Sequence, residues 1–315
     1  MLRRTLAMTS VLALAATSAC SGDESGGDDL TSITVGAIPI VDVAPLHLAK
    51  EQGFFEDHGL KVEIKNTSGG AEAIPGVNSG SFDFAFGNIT SLIIAREKGL
   101  PLKVVSNGVT STGKEGADFG GVVVPEDSSI SSARDLAGAK IAVNNLENIG
   151  DTTVRNSIRE DGGDPSNVEF VEMPFPDMPA ALEQGELDAA WVVEPFRTTA
   201  LDDGTEEVAS NFVDADPSLS IASYFTREEL IDDNPELIES FTAAMHESLS
   251  YADSRPEEVR RILTTYTDMD ETLIEEIQLP AFPTEGDRDS AQRIGELMVK
   301  DGLIDSKPDT DELFL

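Results

Sequence analysis

Short apolar, β-branched runs alternate with stretches of helical period over the first two thirds of the chain. The strand-like runs cover residues 33–38, 62–65, 82–86, 102–105, 121–124, 140–143, 168–171 and 189–193. The intervals between them, such as residues 45–56, are long enough for the helical crossovers that parallel strands require. The pattern therefore predicts an α/β fold of parallel-rich sheets with flanking helices.

From Arg227 onward the pattern becomes almost wholly helical. Apolar positions three and four residues apart predict helices over residues 235–252, 256–266, 271–278 and 288–299. Pro235 and Pro256 stand at the first helical positions, where proline is well tolerated.

One seven-residue pattern occurs twice, as SGSFDFA at residues 79–85 and as QGELDAA at residues 184–190. Gly80 and Gly185 fit left-handed helix caps, and Asp83 and Asp188 can bind backbone groups where a strand begins. Turn chemistry alone would explain each copy. Two copies predict two similar α/β lobes, with a ligand cleft between the carboxyl ends of their strands.

The N-terminal residues resemble an export signal. Arg3 and Arg4 precede an apolar stretch at residues 6–16, which is too short for a stable membrane span, and small residues lead to Cys20. The order resembles a bacterial lipoprotein signal, with residues 1–19 removed, Cys20 acylated and residues 20–30 forming an acidic Gly/Ser tether. We therefore expect anchoring at the outer face of the cell membrane. The alternative is a cleaved signal with an incidental cysteine.

The charge balance excludes one class of partner. The chain has 59 acidic and 22 basic residues and a net charge of −37. Nucleic acid binding requires a basic face and is excluded. The acidic residues are spread along the chain, which is typical of a solvated surface, and adaptation to high salt is a hypothesis.

Distinctive fragments occur in a fixed order between residues 33 and 255. They are VGAIP (35–39), PLHLAKEQGFF (45–55), GL (59–60), SGG (68–70), DLAGAKI (135–141), PFPDMPAAL (174–182) and WVVEPF (191–196). Together they resemble the periplasmic-type substrate-binding proteins of ABC importers for nitrate, sulfonates, taurine and thiamine precursors. The resemblance implies the two-lobed type II periplasmic-binding-protein fold, with crossovers near Gly120 and Ser220. Lobe 1 is then residues 31–118 plus 214–315, and lobe 2 is residues 119–213.

The same resemblance implies a monomer that works with an ABC permease and a separate ATPase subunit. It implies neither a cofactor nor a metal, and no catalytic residues. The ligand-binding residues are expected on loops at the carboxyl ends of strands.

In the first lobe these candidates are Asp42, Ser68, Gly69, Gly70 and Asn88. Asp42 pairs with a ligand ammonium or amidine, or else caps the helix that begins near Pro45. Residues 68–70 lead into a helix whose free N–H groups suit an anionic or carbonyl oxygen, although a glycine pair is also a good turn.

In the second lobe the candidates are Asn144, Asn148, Asp151, Thr152, Trp191 and Glu194. Asp151 has the alternative role of a helix N-cap. Trp191 either stacks on a flat ligand or belongs to the core. Glu194, held extended before a proline, is expected to meet a ligand cation or donor, or else an N–H group at the hinge.

These groups predict a ligand with both donors and acceptors, such as a taurine-like zwitterion or an aminopyrimidine, rather than nitrate. One alternative is an enzyme like the hydroxymethylpyrimidine-phosphate synthases, which share the first-lobe resemblance. Those enzymes use a lysine after the third strand, a histidine four residues later and a cysteine-rich run. Here the loop reads FGNITS (86–91), and no cysteine follows Cys20. A third alternative is a ligand-sensing module for a receptor.

Overall fold

Strands of two mixed sheets form the framework of residues 30–315, the part of the chain that the computed structural model describes. Cys20, the export signal and nearly all of the tether lie outside the described residues. The first sheet has the order β2-β1-β3-β10-β4, with β1 at Thr31–Ala37, β2 at Leu60–Asn66, β3 at Phe84–Asn88, β4 at Leu102–Thr110 and β10 at Ser220–Arg227. The second has the order β7-β6-β8-β5-β9, with β5 at Gly120–Pro125, β6 at Lys140–Val143, β7 at Glu169–Glu172, β8 at Ala189–Val193 and β9 at Thr205–Ala209.

Helices cover both sheets, as the α/β prediction requires. They are α1 (Ala44–Gln52), α2 (Phe54–Asp57), α3 (Gly70–Asn78), α4 (Ile89–Glu97), α5 (Ile149–Glu160), α6 (Met178–Glu183), α7 (Phe196–Asp202), α8 (Asn211–Ala215), α9 (Glu228–Asp233), α10 (Pro235–Ser254), α11 (Pro256–Leu263), α12 (Glu271–Glu276) and α13 (Arg288–Lys300). The helix predicted over residues 45–56 is divided, because Gly53 adopts a left-handed conformation with φ 83° and ends α1.

Each sheet combines parallel and antiparallel pairs. β1 pairs in parallel with β2 and β3, whereas β10 runs antiparallel to both β3 and β4. In the second sheet β6 pairs in parallel with β7 and β8, whereas β5 runs antiparallel to β8 and β9. The strands that run against their neighbours are β5 and β10, and each of them follows a crossover between the lobes. Both sheets are therefore mixed rather than parallel-rich.

The repeated sequence pattern forms the same contact in both sheets. Thr34 of β1 donates its N–H to Asp83 Oδ2 at 2.8 Å, and Lys140 of β6 donates its N–H to Asp188 Oδ2, also at 2.8 Å. Each aspartate thus joins the strand that it precedes to the neighbouring parallel strand. The two halves of the fold are built on one local plan.

We use lobe 1 for the part built on the first sheet, residues 30–110 and 220–315, and lobe 2 for residues 120–209. The chain passes between them twice, through residues 111–119 and 210–219. The exact domain boundaries given above stay a prediction. The C-terminal helices belong to lobe 1, where Phe241 of α10 stacks on Phe84 of β3 with ring centroids 3.9 Å apart.

A membrane-spanning helix would need a long apolar run. Within residues 30–315 no helix meets this requirement.

Candidate ligand-binding cleft

A small cavity lies between the lobes, at the carboxyl ends of β1, β3, β6 and β8. Its volume is about 50 Å³. Its walls are mainly apolar and aromatic, formed by Ile38, Ile40, Phe86, Ile149, Phe175, Trp191, Val193, Phe212, Ile221 and Ala222. Polar groups come from Asp42, Asn88 and Asn144, and backbone from Gly69, Gly70 and Gly87.

Asp42 supplies the carboxyl group of this cavity. It lies in a short 3-10 turn after β1 and is 3% exposed, and its Oδ1 atom has no hydrogen-bond partner within residues 30–315. Burial raises the pKa of Asp42 to about 7, and the nearby Asp118 adds to the shift. The N-cap position of α1 belongs to Val43, so the capping alternative for Asp42 is not the one observed.

Two tyrosines lie beside Asp42. Tyr224 is fully buried, its hydroxyl has no partner in the described part of the chain, and burial raises its pKa. Tyr266 donates its hydroxyl to the carbonyl oxygen of Ile40 at 2.9 Å and stacks on His47 with centroids 3.7 Å apart. Burial lowers the pKa of His47 to about 4, so this imidazole is neutral. His47 therefore packs against Tyr266 as an uncharged ring.

The other lobe 1 candidates lie at two helix N-termini. Asn88 caps α4, accepting the Ser91 N–H at Oδ1, 3.0 Å away, while also lining the cavity. Gly69, at φ 131°, and Gly70 begin α3 and face the cavity through their backbone. Ser68 is exposed and bonds to Glu72 instead.

The loop after β6 contributes a single candidate to the cavity. Asn144 lines it, and its Oδ1 atom lacks a partner among the residues described. Asn148 is the N-cap of α5, and Asp151 completes a capping box by accepting the Asn148 N–H at 2.6 Å. Asp151 is therefore the third residue of the helix rather than its cap. Thr152 is buried away from the cavity.

Trp191 belongs to the core, and stacking on a ligand stays a prediction. It is 3% exposed and packs near Phe175 and Phe212, at centroid distances of 5.5 and 5.8 Å. It also lines the cavity, and its Nε1–H finds no acceptor in the described structure. A flat apolar ligand would meet this ring.

Glu194 was expected to meet either a ligand group or an N–H group at the hinge, and its carboxylate binds N–H groups of the protein. Its carboxylate accepts the N–H and the hydroxyl of Thr198, at 3.1 and 2.9 Å, and the N–H of Gln278 at 3.1 Å. It is completely buried, outside the cavity lining, and burial raises its pKa. The reason is local: α7 begins two residues later, and its first turn offers free N–H donors. Glu194 binds those donors and the segment after α12.

The structure thus brings Asp42, Gly69, Gly70, Asn88, Asn144 and Trp191 together around one cavity. It places Ser68, Asn148, Asp151, Thr152 and Glu194 elsewhere. Sequence reasoning missed most of the apolar wall, including Phe175 and Phe212. Phe175 was quoted only as part of a family fragment, and nothing in the sequence pattern distinguished these phenylalanines from ordinary core residues.

The family assignment agrees with this architecture. A family model described as NMT1/THI5 like matches residues 40–259. The chain belongs to the NMT1/THI5-like family. Its homologues include nitrate- and sulfonate-binding proteins and a formylaminopyrimidine-binding protein. The predicted family resemblance is confirmed.

Individual relatives are distant. The chain is 22% identical over 237 residues to the formylaminopyrimidine-binding protein of Halalkalibacterium halodurans, covering 74% of this chain and 69% of that protein. The ligand-binding component of an ABC-type import system from Staphylococcus aureus matches with a TM-score of 0.78 at 17% identity, over 90% of this chain and 96% of that one. The aliphatic sulphonate binding protein SsuA of Escherichia coli matches with a TM-score of 0.72 at 18% identity, over 90% and 97%. These neighbours confirm the periplasmic-binding-protein fold.

Proposed function

We propose that this chain is the extracytoplasmic substrate-binding protein of an ABC importer and captures a small, flat molecule that carries an amino group, such as an aminopyrimidine. The observation that carries the proposal is Asp42, a buried carboxyl group with a free oxygen in a cavity walled by aromatic side chains.

The electrostatics of the cavity favour a hydrogen-bond donor on the ligand. A buried carboxylate without a partner is costly, and a ligand ammonium or amino group at Oδ1 would offset that cost. Asn144 adds a second free acceptor, and Trp191 adds a free donor. A ligand with two donors and one acceptor on a flat frame would satisfy all three.

The same groups argue against a simple anion. Among the described residues that line the cavity there is no lysine, arginine or histidine. Nitrate or a sulfonate would have to be held by the backbone N–H groups at the start of α3, opposite a carboxyl group. An aminopyrimidine would place only a neutral acceptor, its ring nitrogen or a carbonyl oxygen, at the N–H groups of α3.

The expected mechanism is closure of the lobes on the ligand. Since groups from both lobes line the cavity, a bound ligand gains contacts in the closed form that the open form lacks. The closed complex then delivers the ligand to a permease driven by a separate ATPase. The homologues are binding proteins, which supports capture rather than the enzyme alternative.

Titration calorimetry on the protein tests the ligand class. We expect tight binding of 4-amino-5-hydroxymethyl-2-methylpyrimidine or its formylamino relative, and no comparable binding of taurine, butanesulfonate or nitrate. Asp42→Asn should weaken the aminopyrimidine by about 30-fold or more, because a buried charged hydrogen bond is lost. Asp83→Asn, a matched change at the opposite ends of the strands, should leave the affinity within about threefold. Tight binding of an anion that survives Asp42→Asn would overturn the assignment.

We further propose that Cys20 is acylated and anchors the mature protein to the outer face of the membrane. The support is the order of charged, apolar and small residues before it. Mass spectrometry of the native N-terminal peptide should show a lipid-modified Cys20. An unmodified N terminus, or a Cys20→Ser protein that stays with the membrane, would contradict the anchor.

A further inference from the structure

The N-termini of α4 and α5 meet across the cleft. Asn148 Nδ2 in lobe 2 donates to Ser91 Oγ in lobe 1 at 2.8 Å. The hydroxyl of Thr90 donates to Asn88 Oδ1 in its own lobe at 2.5 Å, and its Oγ1 atom also lies 3.1 Å from Asn148 Oδ1. Asn148, Ser91 and Thr90 are buried, and none of these three lines the ligand cavity. These contacts join the two lobes directly.

Close packing surrounds the three residues. A Cβ atom on Gly69 would lie 2.7 Å from Asn145 Oδ1 in the opposite lobe, and a Cβ atom on Gly70 would collide with Ser91. The two loops are therefore in van der Waals contact. At the far end of α5, Arg159 pairs with Asp301, the residue that ends α13 in lobe 1. Helix α5 is thus bound to lobe 1 at both of its ends.

We propose that Asn148 is a positioning residue for closure, which together with Thr90 and Ser91 holds the lobes closed in the absence of ligand. Asn148 then controls ligand affinity through the population of the closed form and not through contact with the ligand. This inference goes beyond the proposed function and holds for any class of ligand.

The physical basis is a difference between two states. In the open form the Asn148 amide and the Ser91 hydroxyl bond to water, whereas in the closed form they bond to each other. A net hydrogen bond changes an equilibrium about fivefold. Because apparent affinity scales with the fraction of binding-competent protein, removing the contact weakens the binding of all ligands equally, and by less than about fivefold where the closed form predominates.

The capping role of Asn148 has to be separated from its role between the lobes. Serine is as good an N-cap as asparagine, so Asn148→Ser keeps the cap of α5 but is too short to reach Ser91. Ser91→Ala and Thr90→Val remove the partners from the other side. Ser248→Ala is the matched control, because the Ser248 hydroxyl is also buried but bonds to Pro45 O within lobe 1, at 2.6 Å.

Pulsed electron paramagnetic resonance on the ligand-free full chain tests the proposal. Nitroxide labels at exposed Glu97 in lobe 1 and Glu183 in lobe 2, in a Cys20→Ser background, report the distance between the lobes. We expect a major closed population in the parent protein, about a fivefold lower closed-to-open ratio in Asn148→Ser and in Ser91→Ala, and no change in Ser248→Ala. The Asn148→Ser/Ser91→Ala double variant should lose little more than either single variant, because both substitutions remove the same bond, from Asn148 Nδ2 to Ser91 Oγ.

Either of two results would overturn the proposal. One is a parent protein whose inter-lobe distances show a mainly open form in the absence of ligand. The other is a distance distribution that is unchanged in both Asn148→Ser and Ser91→Ala. If Asn148→Ser does not fold, Ser91→Ala and Thr90→Val test the same contact from lobe 1.

Discussion

The indole ring of Trp191 lies directly against the backbone of Gly150, in the first turn of α5. A Cβ atom on Gly150 would be 2.5 Å from Cε3 and 2.9 Å from Cζ3 of the ring. Glycine is required here because there is no space for a side chain. An unusual backbone conformation is not the reason, since residue 150 lies in a regular α-helix. The aromatic wall of the cavity therefore depends on the lack of a side chain at position 150.

Replacing Gly150 with alanine should displace the indole ring of Trp191. We expect a loss of about 1–3 kcal/mol in the free energy of unfolding, the usual cost of overpacking. Because Trp191 is the only tryptophan, the emission spectrum of the folded protein reports the displacement. Gly76→Ala is the control: its new Cβ would crowd Phe82, so it should destabilise lobe 1 without changing the spectrum. Equal spectra for the parent and Gly150→Ala proteins would refute the packing argument.

Asp42 should make the ligand-free protein less stable as the pH rises. Its pKa is about 7 in the folded protein against an ordinary value of 3.8, so between these values the folded state keeps a proton that the unfolded state has released. Stability falls through this window and the loss is complete above pH 7. Asp42→Asn should therefore be more stable than the parent at pH 8, by about 4 kcal/mol, and equal to it near pH 3.5.

Urea unfolding of the two proteins at several pH values checks this expectation. Other groups titrate in the same range, including Asp151, but they are common to both proteins and cancel in the difference. A difference in unfolding free energy that does not change between pH 3.5 and pH 8 would show that Asp42 is ionised normally.

Glu194→Gln should weaken the structure and leave the cavity lining intact. The carboxylate accepts three hydrogen bonds, two at Oε1 and one at Oε2, whereas an amide places a donor at one of these positions. We expect a loss of about 1–3 kcal/mol in unfolding free energy, measured in urea. Glu186→Gln, at an exposed position, is the control and should cost almost nothing. A Glu194→Gln protein as stable as the parent would contradict the bonds described.

Tyr266 holds the loop that carries Asp42, through its bond to Ile40 O. Tyr266→Phe removes the hydroxyl donor and leaves this carbonyl unpaired, which should cost about 1 kcal/mol. Tyr251→Phe is the comparison, because Tyr251 is half-buried and its ring packs edge-on against Phe54, so that removing its hydroxyl should change the unfolding free energy by no more than about 0.5 kcal/mol. Equal unfolding midpoints in urea for all three proteins would remove Tyr266 from this role.

The α/β architecture was accessible from the sequence because strands and helices differ in the period of their apolar residues. Residues 140–143 and 189–193 were placed correctly to the residue, since they are continuous buried runs with clear boundaries. Strand β9 was missed because its sequence, TEEVA, carries two glutamates on an edge strand. The antiparallel pairs were also missed, since a crossover reverses a strand without leaving a local sequence signal.

The candidate site was predictable to the level of loops but not of side chains. Asp42 was found because it follows a predicted strand, and Trp191 because it lies near the carboxyl end of one. Whether a carboxylate faces a ligand or the protein depends on donors that arrive from distant parts of the chain. Glu194 meets Gln278, and Ile40 meets Tyr266, at separations of 84 and 226 residues. No local pattern predicts such pairs.

The position of β10 has a consequence for how the chain reaches its folded state. This strand lies between β3 and β4 in the first sheet, yet it is encoded after the whole of lobe 2. Until residue 227 is available, β4 has no neighbour in its sheet, whereas all five strands of the second sheet are already present. Lobe 2 can therefore fold first as a continuous unit. The sheet of lobe 1 is completed afterwards, when β10 inserts between β3 and β4. We therefore expect the lobes to fold in the reverse of the order in which they begin along the chain.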